Sequence, residues 1–141
     1  MSDTSSYIAD ETVMPNSICP AGWRLPNGLT SDGTNVVQSD FNKLLTEYDI
    51  ANGTDLDLTG SVNVGWKTNG FTNIGLAPLF FVRSGNVYGT ALNNFGSVGF
   101  YWSSTVNSDK YGYYLRYDSS ALYPAYRLDR SGGRSVRCIA R

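Results

Sequence analysis

The final third of the chain is a succession of strand-like segments, and this pattern constrains the fold more than any other feature. Four segments rich in aromatic and branched residues are separated by turns that contain Ser and Gly. The candidate strands are 99–105, 111–118, 122–129 and 134–141. Strands joined by such short turns pair side by side. The sequence therefore predicts a twisted, mainly antiparallel sheet at its C-terminal end.

One segment upstream has the periodicity of a helix. Phe41, Leu44, Leu45 and Tyr48 are spaced as one apolar stripe, and Ser39 is a candidate N-cap. Together with the sheet this predicts an α+β fold with one clear helix, a second being left open. The remaining core candidates are Trp23, Trp66, Trp102 and Leu115.

The rest of the chain divides into a tail, a loop and a hairpin. Residues 1–17 are polar and acidic, which predicts a flexible tail or linker before a domain at 18–141. The stretch 49–75 is rich in Asn, Gly, Thr and Asp and is predicted to be looped. Segments 79–83 and 87–88 flank a turn at 84–86 and predict a hairpin.

Composition argues against two kinds of partner. The chain has 141 residues and a net charge of −1, so it lacks the basic excess that nucleic-acid binding requires. No apolar run approaches the roughly 20 residues of a membrane-spanning helix, so membrane insertion is not expected. The first residues have neither the basic nor the apolar region of a secretory leader.

The two cysteines, Cys19 and Cys138, lie near opposite ends of the chain. With no His in the sequence they cannot complete a tetrahedral zinc site. Two interpretations remain: two separate buried thiols, or one disulfide that ties the first strand to the last. A disulfide implies an oxidising environment. It would suit a domain of a longer exported protein, or a phage particle protein, so we expect an extracellular, cell-surface or phage location.

Strand alternation predicts which side chains of 111–129 point outward. If Leu115 faces the core, the outward side chains of 111–118 are Tyr114, Arg116 and Asp118. The outward side chains predicted for 122–129 are Tyr123, Ala125, Arg127 and Asp129. Tyr126 falls inward unless a bend at Pro124 turns it out. Tyr, Arg and small residues are typical of binding surfaces, although an ordinary solvated sheet face is the alternative. The predicted ligand-binding residues are Tyr111, Tyr114, Arg116, Asp118, Tyr123, Tyr126, Arg127 and Asp129, with Lys110 at the rim.

Several motifs occur in an order that resembles a known family. They are "ICPAGWRLPN" (18–27), "DFNKLL" (40–45), "GWKTNGF" (65–71), "GFYWSST" (99–105) and "GGRSVRCIAR" (132–141). Together they resemble the bacterial major paralogous domain first grouped in Fibrobacter, a C-type-lectin-like fold of exported surface proteins. The resemblance covers 18–141 and implies a disulfide between Cys19 and Cys138.

The same motifs are similar to those of the variable proteins of diversity-generating retroelements. In those proteins reverse transcription randomises adenines, chiefly in Asn codons, near the C-terminus, and surface side chains change on a constant scaffold. Randomised Asn codons cannot encode Lys, Glu, Gln, Met or Trp, and residues 111–134 contain none of these. The resemblance therefore implies a diversified binding surface for an unknown protein or cell-surface ligand.

Catalytic and metal chemistry are not expected. The acidic triplet of a calcium-dependent lectin is missing, and Asp55 and Asp57 are more typical of a solvated loop. Without His, no Ser–His or Cys–His nucleophile can be assembled. The sequence thus favours a binding module with no metal and no cofactor over an enzyme. The competing hypothesis is a structural or adhesive surface-lipoprotein domain without diversification.

Overall fold

The computed structural model describes residues 18–28, 39–52, 74, 79–106, 108–119 and 121–140. Within these ranges the elements are β1 (Trp23–Arg24), α1 (Asp40–Asn52), β2 (Asn86–Tyr88), β3 (Ala91–Asn93), β4 (Gly99–Val106), β5 (Tyr111–Tyr117), β6 (Leu122–Asp129) and β7 (Ile139–Ala140). The strands form three antiparallel sheets, β1–β7, β2–β3 and β4–β5–β6. The α+β prediction is confirmed. The predictions for the tail at 1–17, for most of the loop at 49–75 and for Trp66 lie outside the described residues.

Helix α1 begins where its sequence predicts. The Ser39 hydroxyl accepts the Asn42 backbone N–H at 3.2 Å, which satisfies one of the free donors of the first turn. Asp40 fixes the helix start to the segment after β1, since its carboxylate accepts the Asn27 N–H at 2.8 Å and pairs with the Arg24 guanidinium. The acidic side chain also suits the positive end of the helix dipole.

The two ends of the described chain lie side by side. Trp23 and Arg24 in β1 pair with Ala140 and Ile139 in β7. Cys19 and Cys138 are joined as a disulfide with their Cα atoms 5.8 Å apart, which confirms that interpretation of the two cysteines. The disulfide closes a loop with a sequence separation of 119 residues. Long loops gain the most from closure, because the unfolded chain loses the most freedom.

The core lies between α1 and one face of the β4–β5–β6 sheet. The helix contributes Phe41, Leu45 and Tyr48, all buried, while Leu44 is partly buried against them. The sheet contributes four side chains, and the segments at 74 and 79–81 contribute three: Tyr101, Leu115, Tyr117, Leu122, Ile74, Leu79 and Phe81.

Two of the predicted core tryptophans are not in this core. Trp23 is 46% exposed and lies in the separate two-stranded β1–β7 sheet. Trp102 is half-buried and points to the opposite face of the sheet, where it packs on Tyr114.

The hairpin forms further along the chain than predicted. Residues 79–83 are not a strand; the pair is β2–β3, with Gly89 and Thr90 as its turn. Gly89 has φ of 59°, which a two-residue hairpin turn favours. Gly85, expected in the turn, instead makes a close approach to β3, because a Cβ at this position would lie 2.2 Å from the Asn93 carbonyl oxygen.

The last predicted strand, 134–141, is mostly a connecting segment. Only Ile139–Ala140 forms a strand, and Ser135 makes one parallel bridge to Tyr101 at the edge of β4. Next to it, Gly133 exchanges two 2.8 Å backbone hydrogen bonds with Val87 of β2. The segment 133–135 therefore links the three-stranded sheet to the hairpin.

Candidate functional site

A bulge in β6 brings two predicted tyrosines to one face of the sheet. Tyr114 pairs with Tyr126 and Arg116 pairs with Tyr123, so two steps along β5 match three along β6. The extra residue resets the alternation of side chains. Pro124 and Ala125 at the bulge are buried, and the rings of Tyr123 and Tyr126 lie 5.0 Å apart in an edge arrangement. The predicted turn-out of Tyr126 at Pro124 is confirmed, whereas Ala125 is buried and not outward as predicted.

The Arg116 guanidinium lies over both of these rings. Its guanidinium carbon is 4.9 Å from the Tyr123 ring centroid and 5.1 Å from that of Tyr126. Its Nη2 is 2.9 Å from Asp118 Oδ2, and the two side chains are 20% and 19% exposed. We call Arg116, Asp118, Tyr123 and Tyr126 the Arg116 cluster. Stacking on two rings and pairing with a carboxylate hold the guanidinium in one place.

Asp118 holds the turn between β5 and β6 as well as the guanidinium. Its backbone N–H donates to the Ala121 carbonyl at 3.0 Å, and its Oδ1 accepts the Ala121 N–H at 2.9 Å. A side chain that caps its own turn in this way is typical of Asp at the first turn position. Asp118 thus positions Arg116 from a turn that it also closes.

Tyr114 is not on the surface, in contrast to the prediction. It is fully buried, because Trp102 packs at 4.4 Å from its ring and the Arg134 guanidinium covers it at 4.2 Å. Its hydroxyl donates to the Asp129 carbonyl at 2.9 Å and accepts from Arg134 Nη1 at 3.2 Å. Burial raises the pKa of Tyr114 to about 12. Tyr114 is thus the β5 neighbour of Tyr126 on this face of the sheet, but it is covered by Trp102 and Arg134.

Arg134 is the residue of this region that the sequence did not indicate. Besides the Tyr114 hydroxyl, its Nη1 donates to the carbonyls of Asp129 at 3.0 Å and Gly132 at 3.1 Å. It lies after a Gly–Gly turn, outside the predicted binding strands, and nothing in its local pattern shows that it crosses β4 and β5. Gly132 and Asp129 are its neighbours in sequence, whereas Tyr114 is 20 residues away and is brought to Arg134 by folding.

Tyr111, Arg127 and Asp129 form a separate group. Tyr111 pairs with Asp129 and Tyr113 pairs with Arg127, so Arg127 and Asp129 lie on the face opposite to the Arg116 cluster. The prediction that these two residues share the outward face of Tyr114 and Arg116 is wrong, because the extra residue of the bulge reverses the alternation beyond it. The Arg127 guanidinium carbon lies 5.4 Å from the Tyr111 ring centroid. The eight predicted ligand-binding residues therefore do not form one surface. Tyr114 is buried, four residues form the Arg116 cluster, and Tyr111, Arg127 and Asp129 lie apart from that cluster.

A cleft of about 390 Å³ opens at the end of β5 and β6 that carries this second group. It is lined by Tyr88 of the hairpin, by residues 109–111 and by residues 129–131. Ser131 donates its hydroxyl and its backbone N–H to Asp129 Oδ1, and the hydroxyl bond is the main reason why the pKa of Asp129 is lowered. Asp129 is therefore charged at neutral pH.

No protein-family model, curated protein or solved structure matches the sequence. Across the described parts of the chain, no helix combines the length and the apolar character needed to cross a membrane. The same parts contain no group of three or more His, Cys, Asp or Glu side chains placed to hold a metal ion.

Proposed function

We propose that the protein is a ligand-binding module in which the outer surface of β5 and β6 contacts a partner. The observation that carries the proposal is the Arg116 cluster. Two half-buried tyrosine rings and one guanidinium stand together on a sheet whose underlying side chains are buried. Tyr and Arg are the residues most often found at the energetic centres of interfaces.

The Arg116 cluster suits binding because its side chains are already ordered, so they lose little conformational entropy when a partner binds. Arg116 is already held by Asp118, and Tyr123 and Tyr126 contact each other. Ordering a long side chain at an interface costs about 0.5–1.5 kcal/mol, so side chains that are ordered beforehand avoid part of this cost. The partly exposed rings offer apolar area, and the guanidinium offers donors to a partner's acceptors.

Within this proposal the fold is C-type-lectin-like and the surface is diversified by a retroelement. The motif order over 18–141 supports the fold, as does the disulfide that joins the two ends. The disulfide also supports an extracellular, cell-surface or phage location. The absence of Lys, Glu, Gln, Met and Trp from 111–134 supports diversification.

The binding proposal is tested by panning a random peptide phage-display library on the immobilised protein. We expect enriched peptides whose binding is lost when Tyr123 and Tyr126 are both replaced by Ala. The matched control is Phe80→Ala, since this ring is 62% exposed but lies outside the cluster and outside the β2–β3 hairpin. Peptides that bind all three proteins equally, or no enrichment at all, would refute a role for this face.

Diversification is tested on DNA, by sequencing the locus and searching nearby for a near-copy of the segment encoding residues 105–138. We expect a reverse-transcriptase gene beside it and adenines in the copy wherever the two differ. The differing codons should include 116, 123 and 126 and should spare 114, because a buried side chain cannot vary freely. Absence of any copy would end the retroelement hypothesis and leave the binding face to be judged by panning.

The β2–β3 hairpin favours a second candidate, a surface domain that packs against its neighbours without diversification. Val87, Leu92 and Phe95 are 44%, 59% and 73% exposed. Exposed apolar side chains that lie close together in a short hairpin and in the turn after it are typical of interaction surfaces. Replacing Leu92 and Phe95 by Ser should then abolish self-association in analytical ultracentrifugation, whereas a monomeric wild-type protein would exclude this candidate.

A further inference from the structure

Charge is unevenly distributed along the chain. Residues 99–140 contain six basic and three acidic residues, a net charge of +3, in a protein whose net charge is −1. The rest of the chain therefore carries five basic and nine acidic residues. A basic region within an acidic protein attracts anionic partners at long range and disfavours cationic ones.

Two of these cations line the cleft at the end of β5 and β6. Lys110 and Arg130 are exposed, and the Arg130 backbone N–H donates to the Lys110 carbonyl at 2.9 Å, which holds the two residues side by side. Within the described residues neither side chain has an ion-pair partner. Their N–H donors are therefore available to an anionic group in the cleft.

Of the carboxylates in the same region, two are already engaged. Asp118 pairs with Arg116, and Asp129 accepts two hydrogen bonds from Ser131. Asp109 and Asp129 both line the cleft, and within the described part of the chain neither has an ion-pair partner, although Asp129 already accepts the two hydrogen bonds from Ser131. The N–H donors of Lys110 and Arg130 outnumber the carboxylate oxygens of Asp109 and Asp129, so donors remain for an anionic group although the four charges of the lining balance.

The aromatic lining indicates which kind of anion would fit. Tyr88 is 57% exposed and forms one wall, while Tyr111 contributes a half-buried ring. Such walls favour a ligand that presents apolar groups next to its charge. An acidic peptide with apolar side chains has both, whereas a sulfated polysaccharide has the charge alone.

We infer that this cleft selects an acidic polypeptide segment, with Lys110 and Arg130 binding its carboxylates and Tyr88 packing against a neighbouring apolar side chain. The inference rests on the proposed ligand-binding function and specifies the chemistry of the ligand. It also extends the contact surface beyond the Arg116 cluster to the end of the sheet and to the hairpin.

The test uses fluorescence anisotropy with labelled peptides made of Glu-Phe-Gly, Lys-Phe-Gly or Glu-Ser-Gly repeats. We expect the Glu-Phe-Gly peptide to bind at least about tenfold more tightly than the Lys-Phe-Gly peptide, and its affinity to fall as salt is added. The Glu-Ser-Gly peptide should bind several-fold more weakly, because it offers no apolar side chain to Tyr88.

Variants then assign the binding to the cleft. Replacing Lys110 and Arg130 together by Gln should weaken the Glu-Phe-Gly peptide about tenfold, while Lys43→Gln, an exposed cation on α1, should change it less than twofold. Asp109→Asn should strengthen binding about twofold to threefold, because it removes a like charge from the cleft. A gain of affinity cannot result from misfolding.

Three outcomes would overturn the inference. The first is equal affinity for the acidic and basic peptides, and the second is an effect of Lys43→Gln as large as that of the double variant. The third is tight binding of heparin, lost in the double variant, without binding of the acidic peptide, because the cleft would then serve a polysaccharide. If panning still enriches peptides that depend on Tyr123 and Tyr126, the proposed function stands although this inference fails.

Discussion

Replacing Tyr114 by Phe removes the hydroxyl group of the buried residue that pairs with Tyr126 and leaves the ring in place. The hydroxyl donates to the Asp129 carbonyl at 2.9 Å and accepts from Arg134 Nη1 at 3.2 Å. Each of these two groups keeps another hydrogen-bond partner after the substitution. The Asp129 carbonyl still accepts from Arg134 Nη1 at 3.0 Å, and this nitrogen still donates to the Gly132 carbonyl at 3.1 Å.

The expected loss of unfolding free energy is modest, because the hydrogen-bond partners of the Tyr114 hydroxyl retain other partners. A buried group that loses its only partner costs about 1–3 kcal/mol, whereas the net value of a hydrogen bond between groups that keep other partners is about 1 kcal/mol. We therefore expect Tyr114→Phe to lower the free energy of unfolding by about 1 kcal/mol and the melting temperature by about 3 °C. Tyr114→Ala, which also empties the space of the ring between Trp102 and Arg134, should cost about 4 kcal/mol.

The assay is urea unfolding followed by tryptophan fluorescence, with Tyr126→Phe as the matched control. The Tyr126 hydroxyl has no hydrogen-bond partner within the described residues, so its removal should change stability by less than about 0.5 kcal/mol. Equal free energies of unfolding for Tyr114→Phe and Tyr126→Phe would refute the prediction that the Tyr114 hydroxyl stabilises the fold. A loss above about 3 kcal/mol for Tyr114→Phe would show that the Arg134 contacts do not compensate.

Three further changes test other parts of the structure. Reducing the Cys19–Cys138 disulfide should cost about 4–5 kcal/mol from loop-closure entropy, measured as the shift of the urea midpoint with and without reductant; an unchanged midpoint would contradict it. Gly99→Ala should destabilise the fold by at least about 2 kcal/mol in the same assay, because its Cβ would lie 2.1 Å from the ring of the buried Tyr117. Because burial raises the pKa of Tyr114 from 10.0 to about 12, its contribution is complete below pH 10 and is lost as the pH rises towards 12; Tyr114→Phe should reduce this alkaline fall in melting temperature.

Local patterns predicted the elements well. The bounds of β6 match the predicted 122–129, and the apolar stripe of α1 is buried behind the predicted cap at Ser39. Alternation around Leu115 correctly placed Tyr113 and Tyr117 on the core side. Each of these depends on residues close in sequence, where period and capping decide the structure.

The errors concern side chains whose surroundings come from distant segments. Alternation gave the correct face for Tyr114 but not its burial, because Arg134 and Trp102 cover that face. Trp23 is apolar and exposed, and it lies in the β1–β7 sheet and not in the sheet that packs against α1. Period and composition carry no information about which segment will cover a given face.

The bulge at Pro124 explains how one surface can combine a rigid support with adaptable contacts. The alternation of β6 side chains is reversed across the bulge. Tyr123 and Tyr126 therefore lie on the same face as Arg116, and Arg127 lies on the other face with Tyr111. Substituting a half-exposed ring beside the bulge leaves the backbone pairing unchanged, because the register depends on main-chain hydrogen bonds and on the buried residues within the bulge. Such positions can change partner chemistry at little cost in stability, which is the property that the proposed diversified binding surface requires.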